Sequence, residues 1–350
     1  MNAHVMARMS AQWGLITRTQ AREAGLSDHT IDRWVRTGFW VAVRRGVYAE
    51  SSYVALLTTH HQRRLLADRA ASLRVAAPHT MSHHSAAHVL RLGVLHERDP
   101  TTHITRPGIV GSHLRHGVKH HLAPHRPDQV LIVGGVPVLD GPRTALDIGR
   151  ECGYLQGLVA ADSALRMGAT RADFESALFE MWCWPYSTVL RDIIASMSAH
   201  ADSVAETLGR DLVEDLGYGR PQLQFGLTAD GQTAWCDLRL GRHFFEIDGF
   251  IKLLPFERGG VATAPPDEVL KSAKLRQDFV TSFKTGVSHL TWEDFFGRQR
   301  HLALDRCRRE YLDTCSRFGT DISDLAQFRP RRARPRPAVR QEPLLPRWMP

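Results

Sequence analysis

Two acidic residues within residues 233–252, TAWCDLRLGRHFFEIDGFIK, are positioned by the local pattern to face each other. A two-residue turn at Gly241 and Arg242 joins two strand-like runs, and a glycine in its first position suits a type II′ turn. Counting outward from this turn pairs Asp237 directly with Glu246. Carboxylates opposed across a hairpin repel each other unless a positive group lies between them. The pattern therefore predicts a bound divalent cation at this point.

Side-chain alternation divides the same hairpin into an apolar face and a polar face. The predicted core face carries Cys236, Leu238, Leu240, Phe245 and Ile247, and the other face carries Trp235, Asp237, Arg239, Glu246 and Asp248. The alternative to a metal site is a solvated polar face, on which Arg239 relieves the repulsion between the acids.

Further charged residues near this hairpin extend the predicted site. The upstream segment 202–218, DSVAETLGRDLVEDLGY, is predicted to be a helix with Glu206 and Arg210 on one face, and Lys252 follows the hairpin. Three carboxylates with a nearby lysine can hold Mg²⁺, which orients a water molecule and stabilises charge on a phosphate under attack.

The order of these residues resembles the PD-(D/E)XK nuclease fold, in the branch of the very-short-patch-repair endonucleases. The resemblance rests on S-x-x-E at Ser203 to Glu206, P-x-L-Q at 221–224, the two hairpin acids and Lys252, and it runs from Ala201 to about Phe318. A basic helix followed by a strand and an aromatic-acidic end, KSAKLRQDFVTSFKTGVSHLTWEDF, is similar to that branch as well.

This resemblance implies roles for four residues. Asp237 and Glu246 are implied to bind metal, Glu206 is a further implied ligand, and a lysine assists the attacking water. The lysine expected two residues after Glu246 is replaced by Asp248, so Lys252 has to take its place from further along the chain.

The N-terminal residues 15–50 contain the signals of two short helices and a hairpin. Thr17 and Ser27 are predicted helix caps, and glycines at 25 and 38 are predicted helix ends. The second helix has an inward stripe of Ile31, Trp34 and Val35, and its outward side chains are His29, Thr30, Arg33 and Arg36. Two apolar runs, 39–43 and 47–48, flank a turn that contains Arg44 and Arg45. This layout predicts a winged helix-turn-helix, in which the second helix enters the major groove of duplex DNA and the wing contacts phosphate.

The segment ITRTQAREAGLSDHTIDRWVRTGFWVAVRRGVYA resembles the N-terminal domain of AbiEi-family antitoxins of type IV toxin-antitoxin systems. The resemblance covers about 45 residues. It implies binding to the protein's own promoter and, in some members, neutralisation of a nucleotidyltransferase toxin. A helical pair that binds no DNA is the alternative reading of the pattern itself.

Residues 51–200 are predicted to form a mixed α/β linking domain. Helical segments are expected at 61–75, 82–90, 142–151, 155–166, 172–182 and 187–197, and strands at 102–106, 118–122 and 129–133. Histidines are frequent here, and His84 and His88 have a spacing that can chelate a metal. Without a convergent acid or cysteine, the sequence favours exposed or hydrogen-bonded histidines at these positions. His113, His116, His120, His121 and His125 follow later in the same stretch.

The net charge of +8 is concentrated at the two ends of the chain. Residues 329–350 hold seven arginines against Glu342 alone, and residues 1–50 hold seven arginines against four acids. The end, RPRRARPRPAVRQEPLLPRWMP, is rich in proline as well as arginine and is therefore predicted to be disordered, either as a solubilising end or as a non-specific phosphate-binding one. No apolar run approaches a membrane span, and five cysteines without a CxxC motif favour the cytoplasm over an oxidising compartment.

The sequence as a whole predicts an α+β multidomain, cytoplasmic protein that binds double-stranded DNA. Its predicted parts are a winged helix-turn-helix at 1–50, the linking domain at 51–200, a nuclease-like domain at 201–328 and a disordered basic tail at 329–350. Two functions remain open. One is a Mg²⁺-dependent endonuclease delivered to DNA by the N-terminal domain, possible in a toxin-antitoxin or phage-defence setting. The other is an antitoxin-like autorepressor, with a cognate toxin as a partner, in which the nuclease fold is inactive.

Overall fold

The computed structural model describes residues 1–95, 100–247, 266–332, 334, 344–346 and 348, with the backbone alone at 266–270. Within these ranges the chain forms two compact units, Met1–Met197 with Val339–Pro350, and Ser198–Ala338. No helix in the described ranges is long and apolar enough to cross a membrane. The five cysteines are free thiols.

The first unit begins with a three-stranded sheet in the order β1-β3-β2 and five helices. Their bounds are α1 Ala3–Ala11, β1 Leu15–Thr17, α2 Arg18–Glu23, α3 Asp28–Arg36, β2 Trp40–Arg44, β3 Val47–Glu50, α4 Ser51–Ala55 and α5 His60–Ser72. The two predicted caps are confirmed. Thr17 accepts a hydrogen bond from the Gln20 amide in a capping box, and Ser27 accepts one from the Thr30 amide. The sequence did not predict α1, β1 or α4.

The rest of the first unit is a six-stranded sheet with helices packed beside it, in the order β6-β7-β5-β4-β9-β8. Its elements are β4 Thr80–Met81, α6 His83–Leu90, β5 Thr102–Thr105, β6 His113–Arg115, β7 Val118–His121, β8 Val130–Val133, β9 Val136–Leu139, α7 Gly141–Cys152, α8 Tyr154–Arg166, α9 Arg171–Met181 and α10 Ser187–Ser196. All the helices and strands predicted for this segment are present, to within a few residues. The short strands β4, β6 and β9 were not predicted.

The second unit is built around a four-stranded sheet in the order β10-β11-β12-β13, in which β12 and β13 are parallel. The elements are α11 Val204–Glu214, β10 Gln222–Ala229, β11 Gln232–Leu240, β12 His243–Ile247, α12 Pro266–Thr281, β13 Gly286–Leu290 and α13 Gly297–Phe318, with short 3₁₀ helices at Trp292–Phe295 and Ser323–Phe328. The predicted order of basic helix, strand and aromatic-acidic end is therefore present in α12, β13 and Trp292–Phe295.

The β11–β12 hairpin has the predicted register. Leu240 pairs with His243 and Leu238 pairs with Phe245, and Gly241 has the positive φ of 51° that the turn needs. Extending this register by one residue places Asp237 opposite Glu246. Strand β12 is buried along its whole length, so the polar face expected on it is covered.

The five residues of the predicted core face are buried, but they do not all contact the same element. Cys236 packs in a cluster with Phe244 and with Val280 of α12, whereas Leu238 lies against Gly209 of α11. Pairing between β10 and β11 skips Gln224 and Asp237, and Gln224 has a left-handed backbone (φ 53°).

The end of the chain corrects the prediction of a wholly disordered tail. Leu345 and Trp348 are buried in the hydrophobic core of the first unit. The Tyr53 hydroxyl donates to the Pro346 carbonyl at 3.1 Å, and the Trp348 indole donates to a Glu50 carboxylate oxygen at 3.3 Å. Leu344, Leu345 and Trp348 supply this packing.

We expect Trp348→Ala to destabilise the first unit by about 3 kcal/mol, because the change leaves a cavity in a core and removes a hydrogen bond. The measurement is urea unfolding followed by circular dichroism. Trp182→Ala is the control, because that side chain is 55% exposed and its loss should cost under about 1 kcal/mol. Equal stability of the two variants would show that the chain end does not pack in solution.

Candidate functional site

Helix α3 presents a positive face whose own acids are already neutralised. Arg18 of α2 forms ion pairs with Asp28 at 2.8 Å and with Asp32 at 2.9 Å, and these carboxylates raise its pKa. Arg33 and Arg36 are exposed and form no ion pair with any described residue. The outward face of the helix therefore keeps two uncompensated positive charges.

The remaining outward residues of α3 have different environments. His29 is exposed, as predicted, but the Thr30 hydroxyl lies 2.9 Å from the Ser27 hydroxyl and takes part in the helix cap. On the inner side, Ile31 is fully buried and Trp34 packs edge-on against Trp40 at 4.8 Å. These apolar contacts fix the helix so that its arginines point to solvent.

The β2–β3 turn carries the two predicted wing arginines. Arg45 is exposed, and Gly46 takes the positive φ of 74° that the tight turn requires. Arg44 is half-buried and donates a hydrogen bond to the His116 carbonyl in the β6–β7 turn. Burial, together with the nearby charge of Arg74, lowers the pKa of Arg44. The wing is therefore part of a larger basic surface.

That surface is a groove of about 710 Å³ within the first unit. Its charged and titratable lining consists of Arg44, Arg45, Arg74, Arg106, Arg115, His116 and His120. No acidic residue among those described lines the groove, and none of the five arginines forms an ion pair with a described carboxylate. We call this surface the basic groove.

Sequence reasoning missed three of these arginines. Arg74, Arg106 and Arg115 lie far apart in the sequence, and only the fold brings them beside the wing. Arg74 lies shortly after the end of α5, Arg106 directly follows β5 and Arg115 ends β6, so no local pattern links them.

The predicted acidic site lies in the second unit, between the start of α11 and the β11–β12 hairpin. Glu206 is buried at the third position of α11, where its side chain accepts hydrogen bonds from the Asp202 amide at 2.9 Å and from Gln224 at 2.7 Å. Asp237 accepts a hydrogen bond from the Ile247 amide at 3.0 Å. Each acid is thus held in position by a neutral donor.

Burial and mutual repulsion make these acids harder to ionise. Burial raises the pKa of Glu206, and Asp237 raises it further. Burial likewise raises the pKa of Glu246, again with a contribution from Asp237. The structure therefore brings the three predicted acids into one electrostatically coupled group around Asp237.

A guanidinium already occupies the position that the sequence assigned to a cation. Arg276 of α12 donates to Glu246 Oε1 at 3.1 Å, lies 2.9 Å from Glu246 Oε2, and also donates to the Trp235 carbonyl. The oxygens of Glu206, Asp237 and Glu246 do not all lie within 4.8 Å of one another. Asp248 and Lys252 lie outside the described residues.

A comparison with protein families gives one match. Residues 7–51 match the family model AbiEi_4, described as "Transcriptional regulator, AbiEi antitoxin". The matched residues include α2, α3 and the β2–β3 hairpin. No curated protein matches the chain.

We expect Glu246→Gln to destabilise the second unit by about 1 kcal/mol, because it leaves the Arg276 guanidinium without its anion. If Asp237 and Glu246 faced each other without a cation, the same substitution would stabilise the second unit, because it would remove one of two repelling charges. A double-mutant cycle with Arg276→Met, measured by urea unfolding, should give a coupling of about 1 kcal/mol.

The matched control for this cycle is the exposed pair Arg317 and Asp313 of α13, which should give a coupling near zero. No coupling between Glu246 and Arg276, or a more stable Glu246→Gln, would contradict the assignment of Arg276 as the internal cation.

Proposed function

We propose that the chain binds duplex DNA through its first unit and acts as an antitoxin-type transcriptional repressor. The match of residues 7–51 supports a DNA-binding role related to toxin-antitoxin systems. In this proposal α2 and α3 form a helix-turn-helix, and the β2–β3 hairpin is its wing. A cognate toxin is the proposed protein partner.

The observation that carries the proposal is uncompensated positive charge on one unit. Within the part of the chain that the structure describes, Arg33 and Arg36 pair with no carboxylate, and no carboxylate lines the basic groove with its five arginines. Like charges brought together in this way destabilise the free protein, and phosphate groups of DNA neutralise them on binding. In this proposal the α3 arginines reach base edges and the groove arginines contact the DNA backbone.

Two classes of variant should separate base reading from phosphate contact. Arg33→Ala should mainly relax sequence preference, whereas Arg44→Ala with Arg45→Ala should weaken binding to every sequence and flatten the salt slope by up to about two units. Arg115→Ala should flatten the slope by about one unit. The measurement is fluorescence anisotropy across a salt titration, with a duplex from upstream of the protein's own coding sequence and a scrambled duplex.

Arg171→Ala is the control, because Arg171 is an exposed arginine of α9 outside the groove and α3. It should leave both affinity and slope unchanged. If the Arg44/Arg45 double variant binds as the control does at every salt concentration, the wing does not contact DNA.

The second candidate function is a Mg²⁺-dependent endonuclease in the second unit. The observation that favours it is the coupled group of Glu206, Asp237 and Glu246, two of which have raised pKa values. Metal ligation by these acids would require Arg276 to release Glu246. Mg²⁺ would polarise phosphate and supply an activated water, with Lys252 proposed to assist.

Plasmid nicking with millimolar Mg²⁺ or Mn²⁺ tests this second function. The nuclease proposal expects nicking by the wild type that is lost in both Asp237→Asn and Lys252→Ala, together with a metal-dependent rise in the melting temperature that Asp237→Asn lacks. The repressor proposal expects no nicking, no metal-dependent shift and unchanged DNA affinity in Asp237→Asn.

A further inference from the structure

Three histidines from separate elements meet inside the first unit. His83 begins α6, His103 lies in β5 and His121 ends β7, and all three side chains are buried. One ring nitrogen of each lies within 4.8 Å of the others. The His103 Nδ1 and His121 Nε2 atoms are 3.0 Å apart. We call this group the histidine cluster.

Hydroxyl groups hold the outer nitrogens of two of these rings. The His83 Nδ1 atom lies 3.0 Å from the Ser82 hydroxyl, and the His103 Nε2 atom lies 3.0 Å from the Thr101 hydroxyl. In metal sites the second nitrogen of a ligand histidine almost always has a hydrogen-bond partner, usually a carboxylate, a backbone carbonyl or water, and this partner fixes the tautomer. The cluster has this outer arrangement at two of its three histidines.

The inner side of the cluster has unused hydrogen-bonding capacity. The His83 Nε2 atom, across the ring from the nitrogen that lies beside the Ser82 hydroxyl, is buried and makes no hydrogen bond to any described residue. A buried polar atom without a partner costs roughly 1–3 kcal/mol. Coordination of a cation would satisfy such a nitrogen, and neutral imidazoles are the form that binds metal.

His83 is also held in a strained conformation. Its φ is +50°, in the left-handed region that residues other than glycine rarely adopt. The start of α6 is fixed to β5 by hydrogen bonds from the Ser82 amide to the His103 carbonyl, at 3.2 Å, and from the His103 amide to the Ser85 hydroxyl, at 2.9 Å. Backbone strain of this kind is concentrated at binding and catalytic sites.

We propose that His83, His103 and His121 form a binding site for a transition-metal cation of the Zn²⁺ type. Imidazole ligands select such borderline ions over Mg²⁺ or Ca²⁺. Zinc–nitrogen bonds of about 2.0–2.1 Å in tetrahedral geometry separate two ligand nitrogens by about 3.4 Å, close to the spacing already present between His103 and His121. Three protein ligands leave a fourth position for water or a further group.

Two features of the surroundings determine how the ion would enter. The His83 ring stacks on His121 at 3.8 Å, and it must rotate so that its Nε2 lone pair points at the ion. Rotation of a histidine ring about its last side-chain torsion is soft. The nearby Arg150 guanidinium opposes a cation, and the Asp147 carboxylate 3.9 Å from it offsets its charge only in part, because that carboxylate also pairs with Arg143 at 3.0 Å.

The site is tested by Co²⁺ and Zn²⁺ binding to the full chain after treatment with a chelator. Millimolar Mg²⁺ is present throughout, so that it and not Co²⁺ or Zn²⁺ occupies the carboxylates of the second unit. We expect one equivalent of Co²⁺ to bind with the visible absorption of a nitrogen-ligated ion, and Zn²⁺ to displace it. X-ray absorption of the zinc-bound wild type should show three imidazole ligands.

Variants then locate the bound ion. His121→Asn should weaken Co²⁺ binding by more than about 100-fold, and Thr101→Val, which removes a supporting hydroxyl, should weaken it about 10-fold. His113→Asn is the control, because His113 is exposed on β6. Circular dichroism verifies that each variant is folded, and Thr101→Val keeps the test valid if His121→Asn does not fold.

Three results would overturn the proposal. The first is that the wild type takes up no stoichiometric metal at 100 micromolar, which is roughly the weak end of specific sites. The second is a zinc shell of oxygen or sulfur ligands. The third is unchanged metal affinity in both His121→Asn and Thr101→Val. Because binding is measured without DNA, these results are independent of the proposed repressor function.

Discussion

Positive charge without an internal counter-charge is the constraint on which the first unit depends. The β2–β3 turn packs against the β6–β7 turn, so Arg44 lies beside Arg74 and donates to the His116 carbonyl. Five arginines thereby share one groove that no acid lines among the described residues. Apolar contacts in the core hold the five arginines close together, so their charges repel one another until an anion binds. In α3 the positive charge remains for a different reason. Arg18 forms ion pairs with the two acids of the helix, so these acids do not neutralise its outward arginines.

Features set by short-range rules could be predicted from the sequence. The caps at Thr17 and Ser27 need only neighbouring amides, and the register of the β11–β12 hairpin follows from its two-residue turn. The opposition of Asp237 and Glu246 follows from the same turn, whereas Glu206 lies on a separate helix and was grouped with them as a nearby carboxylate and by the family resemblance. The register alone could not show that β12 is buried on both faces, nor that Cys236 and Leu238 contact different helices.

Features made by residues far apart in the chain could not be predicted. Arg276 follows Glu246 by thirty positions, and its guanidinium occupies the place that local reasoning gave to a metal. The histidine cluster joins α6, β5 and β7, whereas the spacing rule pointed to His84 and His88. His88 instead lies 3.5 Å from Asp68. Trp348 was assigned to a disordered tail because its neighbours in sequence are arginine and proline, yet it is buried in the core of the first unit.

Hydrogen-deuterium exchange of the full chain, with and without a duplex from upstream of its own coding sequence, tests the central claim most directly. The account predicts slower exchange on DNA binding in three segments of the first unit, Asp28–Arg36, 40–47 and 113–118, with little change in α11 and the β11–β12 hairpin. The three segments contain α3, the wing and the β6–β7 turn of the basic groove. Protection confined to the second unit, with none in these segments, would contradict it.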